Sequence, residues 1–225
     1  MPKVLIVHPD LRRLGGIESY FIKLYAHLNI PYESFSIARR PNEKTAIQRM
    51  ARIMADYLHY WQLLSGHNIK IVHLNPSLER KSFYREAVFL LMAKLRRKKT
   101  IVFFHGWDTH FQNEIDTKNG SLFRLLYGSA DAYIVLASAF ANKLRCWGVS
   151  QPIHSEVTII DDKLLNFNLD QAINRRIENP CWQLLFPSRL MRAKGVITVI
   201  RALNIIQQTH PYFSLAIAGD GELAE

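Results

Sequence analysis

Arg189 and Lys194 stand five positions apart in the run WQLLFPSRLMRAKG, Trp182 to Gly195, between an apolar stretch and a helix-forming one. A guanidinium presents a planar fork that matches two phosphate oxygens, and a lysine adds a mobile point charge, so the pair suits a diphosphate better than a lone carboxylate. Gly195 opens the helical run Val196 to Thr209, whose first backbone N–H groups have no partner within the helix and favour an anion. The same two cations on a surface loop are equally well served by water. A further apolar strand ends in AGDG, which brings Gly219 and Gly221 into the same part of the chain.

A second set of chemically competent residues follows the apolar run TIVFF, Thr100 to Phe104: the tetrapeptide HGWD, His105 to Asp108. Ligands of open parallel sheets collect beyond the carboxyl ends of the strands. An imidazole placed there can donate a hydrogen bond to a sugar hydroxyl, and a carboxylate can orient or deprotonate an acceptor hydroxyl. Asp108 is equally suited to capping a backbone N–H in a strand-end turn. Near the start of the chain, KVLIVH (Lys3 to His8) reads as a buried strand ended by Pro9, and DLRRLGG leads from it into a helix. Gly15 and Gly16 would let a ligand approach the backbone at that helix N-terminus. They do not complete a GxGxxG pattern, which argues against a dinucleotide-binding oxidoreductase.

Taken in order, GGIE, HGWD, SRLMRAKG and AGDG resemble the motifs of the retaining glycosyltransferases of family 4, two-domain enzymes of GT-B fold. The resemblance implies an α/β chain of GT-B type. Residues 1–165 would form a Rossmann-like, doubly wound parallel-sheet domain on the acceptor side, 166–179 a linker and crossover, and 180–225 the start of a second Rossmann-like domain that binds the nucleotide sugar. It further implies that Arg189 and Lys194 hold the diphosphate of the donor, that Gly15, Gly16, Gly219 and Gly221 line the donor site, and that His105 lies close to the transferred sugar. Asp108 is assigned to the acceptor, as the second catalytic residue. The expected activity is transfer of a sugar, with retention, from a nucleotide-diphosphate sugar to a sugar or lipid-linked acceptor in cell-surface polysaccharide or glycolipid synthesis. The family's two glutamates seven residues apart have no counterpart here, so the chain is read as a fragment or truncated form. Where the family carries a Pro-Asn-Gly type turn this sequence reads TIIDDKLLNFN, a departure at the domain border. No cofactor and no metal are expected: Asp161 and Asp162 are adjacent, with no ligand cluster around them.

These residues need elements to position them, and 225 residues at 48% hydrophobic content are enough for a sizeable core. Strands are expected at 32–38, 69–74, 100–104, 131–136 and 153–160, with Asn75-Pro76 breaking the second of these. Thr45 to Ser65 reads as a long helix whose face of Ile47, Met50, Ala51, Met54, Tyr57, Leu58, Trp61 and Leu64 is assigned to the core, a membrane-surface helix being the alternative. A helix through EAVFLLMAKL ends in RRKK, where cations complement the helix dipole. Residues 111–120 read as a polar loop, Ser138 as the cap of the helix that follows, and Gly148 as its C-terminal glycine. Cys146 and Cys181 form no CxxC and are assigned to packing.

The net charge of +10 lies entirely in residues 1–110, which hold 18 Lys and Arg against 8 Asp and Glu. Such a basic half suits an anionic membrane surface or a lipid-linked phosphate, or simply solvated helix faces. RRKK carries no interleaved aromatic residues, and nucleic acid is not an expected partner. Without a spanning segment or signal-peptide pattern, the expected location is cytoplasmic, peripheral on the inner face of the cell membrane. Two other classes compete with the transferase: a non-catalytic scaffold with a basic membrane-facing domain, and a sugar-nucleotide epimerase of GT-B fold.

Overall fold

Short apolar runs such as KVLIVH, IKIVHL and KTIVFF are suited to strands covered on both faces, and with YESFS, AYIV and IHS they make six strands that pair in parallel. They are β1 (Lys3–His8), β2 (Tyr32–Ser36), β3 (Ile69–Leu74), β5 (Lys99–Phe104), β7 (Ala132–Val135) and β8 (Ile153–Ser155). Their order is β2-β1-β3-β5-β7-β8. The computed structural model describes residues 2–11, 16–37, 45–66, 68–118, 120–160, 162, 166, 168–178, 181–210 and 212–224. It divides into two compact units, Met1–Asp161 and Asp162–Glu225.

In the first unit the chain leaves β1 outward to β2 and then builds every later strand on the other side. The order therefore reverses between β1 and β3, and in sheets of this kind the crevice for a ligand opens at that reversal, outside the carboxyl ends. A short parallel ladder, β4 (Ser77–Leu78) with β6 (Gly106–Trp107), continues beyond the ends of β3 and β5. Around the sheet run α1 (Gly16–His27), α2 (Ala46–Leu64), α3 (Arg80–Leu95), α4 (Thr109–Asp116), α5 (Ser121–Tyr127) and α6 (Ser138–Cys146). The core between sheet and helices is aromatic, with Tyr60, Phe83, Phe89, Phe104, Phe123, Tyr127, Tyr133 and Trp147 at most 1% exposed.

Several expectations change. Residues 111–116 are not part of a loop: α4 forms there because Asp108 caps it and Phe111 and Ile115, one turn apart, are both buried. Ser138 is the first helical residue of α6, not its cap. The extended Ala137 takes the cap position and offers no side-chain bond. Gly148 is left-handed at φ 89°, and the bonds Gly148 N to Arg145 O and Val149 N to Leu144 O close a Schellman turn. Cys146 is exposed on α6 and packs against no core.

The face of α2 also differs. Thr45 caps it in a reciprocal box with Gln48, but Ile47, Met50, Met54 and Leu58 are 56–81% exposed. The apolar sector of the helix is wider than the face that meets α3, and Tyr57 and Tyr60 decide its rotation by donating to Arg85 O and Phe89 O on α3, both at 3.2 Å. Three cations of RRKK are engaged structurally: Arg96 lies 3.9 Å over the Trp61 ring, Lys98 Nζ donates to Ile69 O and Gly66 O, and Lys99 pairs with Asp131. Lys99 and Lys94 both pair with Asp131, which also accepts from Thr100 N and Oγ1. Burial opposes ionisation of Asp131, yet the bonds from Lys94, Thr100 and Lys99 outweigh it and hold the carboxyl well below its usual range.

The second unit contains α7 (Leu169–Glu178), which occupies part of the stretch read as a linker, then β9 (Trp182–Pro187), α8 (Val196–Gln207) and β10 (Phe213–Ala218). β9 and β10 pair in parallel as a two-stranded sheet whose apolar side chains stay largely open, Trp182 at 69% and Leu185 at 65% exposure. No helix among the described residues is long and apolar enough to cross a membrane.

Candidate functional site

His105 follows the last residue of β5, and its position is built from both sides. Its backbone N–H donates to Pro76 O and that of Asp108 to Leu78 O, so HGWD is laced to the segment after β3. The two backbones run so close that a Cβ on Gly106 would lie 2.7 Å from Ser77 Oγ, which explains the glycine. The His105 ring stacks on Phe103 with centroids 3.7 Å apart and meets Tyr20 and Phe21 of α1 at 5.0 and 5.7 Å. Trp107 lies flat on Phe140 at 4.2 Å and donates through Nε1 to Gln112.

Asn75 joins the strands at the reversal point. It is 4% exposed, and its Nδ2 donates to Val7 O at 2.8 Å and His73 O at 3.2 Å, while its Oδ1 is 3.1 Å from His105 Nε2. One carboxamide thus ties β1, β3 and the end of β5 together. Below it, the turn is held by α3: Ser77 N donates to Ser82 Oγ, which donates to Glu86 Oε1. Glu86 is 2% exposed, and burial pushes its carboxyl up against the opposing pull of Arg85, Ser82 and the Asn75 backbone amide.

Three histidines share this end of the sheet, and burial works against the charged form of each. His105 is lowered to about 3, by burial first and by His73 second, and His73 to about 4 by burial. His8 is lowered too; burial dominates over its hydrogen bond to Pro9 O and over Asp10. The Nε2 atoms of His8 and His73 and the hydroxyl of Tyr25 are enclosed without a hydrogen-bond partner among the described residues. Asp108 serves as cap: its Oδ1 accepts from His110 N at 2.8 Å and Phe111 N at 3.4 Å. Gly16 is the first residue of α1, where a Cβ would meet nothing within 4 Å; Gly15 lies outside the described residues.

In the second unit, Arg189 and Lys194 both lie on the connection from β9 to α8 and are exposed. Among the described residues neither side chain has a hydrogen bond or ion pair. A 3-10 turn, Arg192–Lys194, leads to Gly195, left-handed at φ 80° and the cap of α8, with no side chain on the helix N-terminus. Gly219 and Gly221 have a packing reason, since a Cβ would fall 1.9 Å from Ser188 O and 2.5 Å from Leu190 O. The AGDG turn is pressed against the loop that carries Arg189 and fixes it through Leu190 N to Asp220 O and Leu223 N to Leu190 O. No group of three or more His, Cys, Asp or Glu is placed to hold a metal among the described residues.

Asn75 is the residue the sequence reading passed over. It figured there only as a strand breaker before Pro76, because its partners lie up to 68 positions away and leave no local signal.

No protein-family model matches the sequence, and no curated protein matches it either. Solved structures do. HepE of Anabaena in complex with UDP and glucose aligns with TM-score 0.57 at 17% identity, over 98% of this chain and 62% of that one. HepE with UDP-glucose gives 0.53 at 15% identity over 100% and 62%, and HepE with UDP gives 0.55 at 15% over 98% and 61%. The present chain thus spans less than two thirds of the length of these structures. The similarity establishes the fold: an α/β chain of GT-B type with a parallel central sheet.

Proposed function

We propose that the chain belongs to a retaining glycosyltransferase of the family 4 type that takes a nucleotide-diphosphate sugar as donor and a sugar or lipid-linked acceptor. The observation that carries this reading is the β9–α8 connection, where two cations with no hydrogen bond or ion pair among the described residues flank a helix N-terminus that no side chain caps. As the glycosidic bond breaks, negative charge develops on the departing diphosphate. Arg189 and Lys194 would stabilise it without a metal, and more strongly in the transition state than in the ground state. His105 would serve the sugar from the first unit, with Gly15 and Gly16 letting the backbone approach the donor. Oδ1 of Asp108 is committed to its cap, so a role toward the acceptor would fall to Oδ2. Calorimetry with UDP tests the assignment: Arg189→Ala with Lys194→Ala should weaken binding by roughly 100-fold or more, two charge-assisted contacts being lost. Unchanged affinity in the double variant would sink it.

A different observation favours a place of work at an anionic membrane surface. The outward faces of the neighbouring helices α2 and α3 are both apolar: Ile47, Met50, Met54 and Leu58 on one, Tyr84, Val88, Leu91 and Leu95 on the other, each 39–81% exposed. Residues 45–99 hold eleven Lys and Arg against three Asp and Glu, of which Asp56 is paired with Arg52 and Glu86 is buried. An apolar face with a basic surround matches a bilayer of anionic lipid, where buried area and charge add. The chain should sediment with phosphatidylserine-containing vesicles, less so as salt rises, and Leu58→Glu with Leu91→Glu should release it. Equal binding to neutral vesicles would refute the role of charge, and full binding by the double variant would refute the role of this face.

A further inference from the structure

The environment of Asn75 admits one orientation of its carboxamide. Val7 O and His73 O are backbone carbonyls and can only accept, so the amino group must face them. The amide oxygen is then the atom 3.1 Å from His105 Nε2, and an oxygen without a proton can only accept. His105 Nε2 must therefore carry the hydrogen. We propose that Asn75 is a positioning residue: by accepting from Nε2–H it fixes one tautomer of His105 and presents Nδ1 as an acceptor for a hydroxyl of the bound sugar.

The ligand half of this inference rests on the glycosyltransferase reading; the tautomer half rests on Asn75 alone. It reverses the role read from the sequence, in which the imidazole donates. A ring held uncharged, as burial and His73 hold this one, has one donor and one acceptor, and the donor is spent on Asn75. Nδ1 makes no hydrogen bond among the described residues. Rotation of the ring by half a turn would bring Cε1 to Asn75 in place of Nε2, and the close contact with Phe103 and the edge-on contact with Tyr20 restrain that motion. Asn75 in turn cannot swing away, because its two donor bonds and the Ser77–Ser82–Glu86 chain beneath the turn hold it. The histidine that shares β1 has the opposite form. The 2.6 Å contact of His8 Nδ1 with Pro9 O places its hydrogen on Nδ1, so the tautomer at each strand end follows from the acceptor beside it.

Long-range proton–nitrogen correlation spectra of the 225-residue chain labelled with nitrogen-15 histidine decide the matter, with His105→Gln used to assign the signal. The expected result at neutral pH is hydrogen on Nε2. Asn75→Asp, whose protonated carboxyl can donate to Val7 O and still accept from Nε2–H, should keep that tautomer. Asn75→Ala should lose the single tautomer. Hydrogen on Nδ1 in the unsubstituted chain would overturn the tautomer half, a measurement that needs no variant to fold. For the ligand half, UDP-glucose but not UDP should shift the Nδ1 resonance, and Asn75→Ala should weaken UDP-glucose relative to UDP by roughly two- to tenfold, the worth of one neutral hydrogen bond. Binding of UDP-glucose with Nδ1 unmoved would overturn that half. Failure of both nucleotides to bind would overturn the glycosyltransferase reading and leave the tautomer standing.

Discussion

The first unit surrounds its sheet on both faces, so that Leu5, Val72, Val102 and Val135 are wholly buried. The second pairs β9 with β10 and leaves Leu185 at 65% exposure. Both follow the same strand–helix–strand pattern, and their candidate residues differ accordingly. His105 sits against three rings and one amide, where burial suppresses its charge and a hydrogen bond sets its tautomer. Arg189 and Lys194 project into water, where they act by charge. One unit shapes the chemistry of its residue by removing solvent; the other supplies ions and a helix end and leaves the solvent in place.

The largest break in this comparison would come from cavity variants. Phe104→Ala, at a side chain 1% exposed, should cost about 3–5 kcal/mol in urea unfolding, whereas Leu185→Ala should stay within about 0.5 kcal/mol. Similar losses at the two sites would show that the second unit is covered as fully as the first.

Acid should act next, and on the first unit. Unfolded histidines charge near 6.5, but His73 resists until about 4 and His105 until about 3, so between these values the unfolded chain binds more protons than the native one. Stability is therefore whole above pH 6.5 and declines as pH falls below it. The decline from His73 alone amounts to about 3 kcal/mol by pH 4. Urea midpoints measured from pH 7 to 4.5 should fall steadily, and His73→Leu should flatten the profile; a flat profile in the unsubstituted chain would remove burial as the cause. The smallest effect sharpens the contrast: Arg189→Ala with Lys194→Ala, so damaging to UDP binding, should change unfolding free energy by less than about 0.5 kcal/mol, because neither residue holds up the fold.

Much of the architecture could be read locally. Strands β1 and β3 fall where their unbroken apolar runs place them, and α2 lies between Thr45 and Ser65 because the capping box and the apolar pattern agree. The strand-end position of His105 was equally plain. Asp108 could be read for acceptor chemistry or for capping, and the bonds from His110 N and Phe111 N show the cap on Oδ1. Residues 111–120 misled because their polar composition outweighed two apolar residues one turn apart, and those two were enough once the core received them.

The sequence by itself determined the parallel α/β order of elements, the reach of its longest helix and the loops on which the candidate residues stand, since periodicity, caps and glycine turns act over a few residues. Only the tertiary structure decided which side of α2 meets the core, that Gly219 and Gly221 serve the close passage of the Ser188–Leu190 loop, and that Asn75 governs His105. Those outcomes depend on partners about 30 residues away or more, as with Tyr60 and Phe89, Leu190 and Gly221, Asn75 and His105. A short-range pattern carries no record of such partners; the packed chain brings them within hydrogen-bond distance and excludes the water that would otherwise compete.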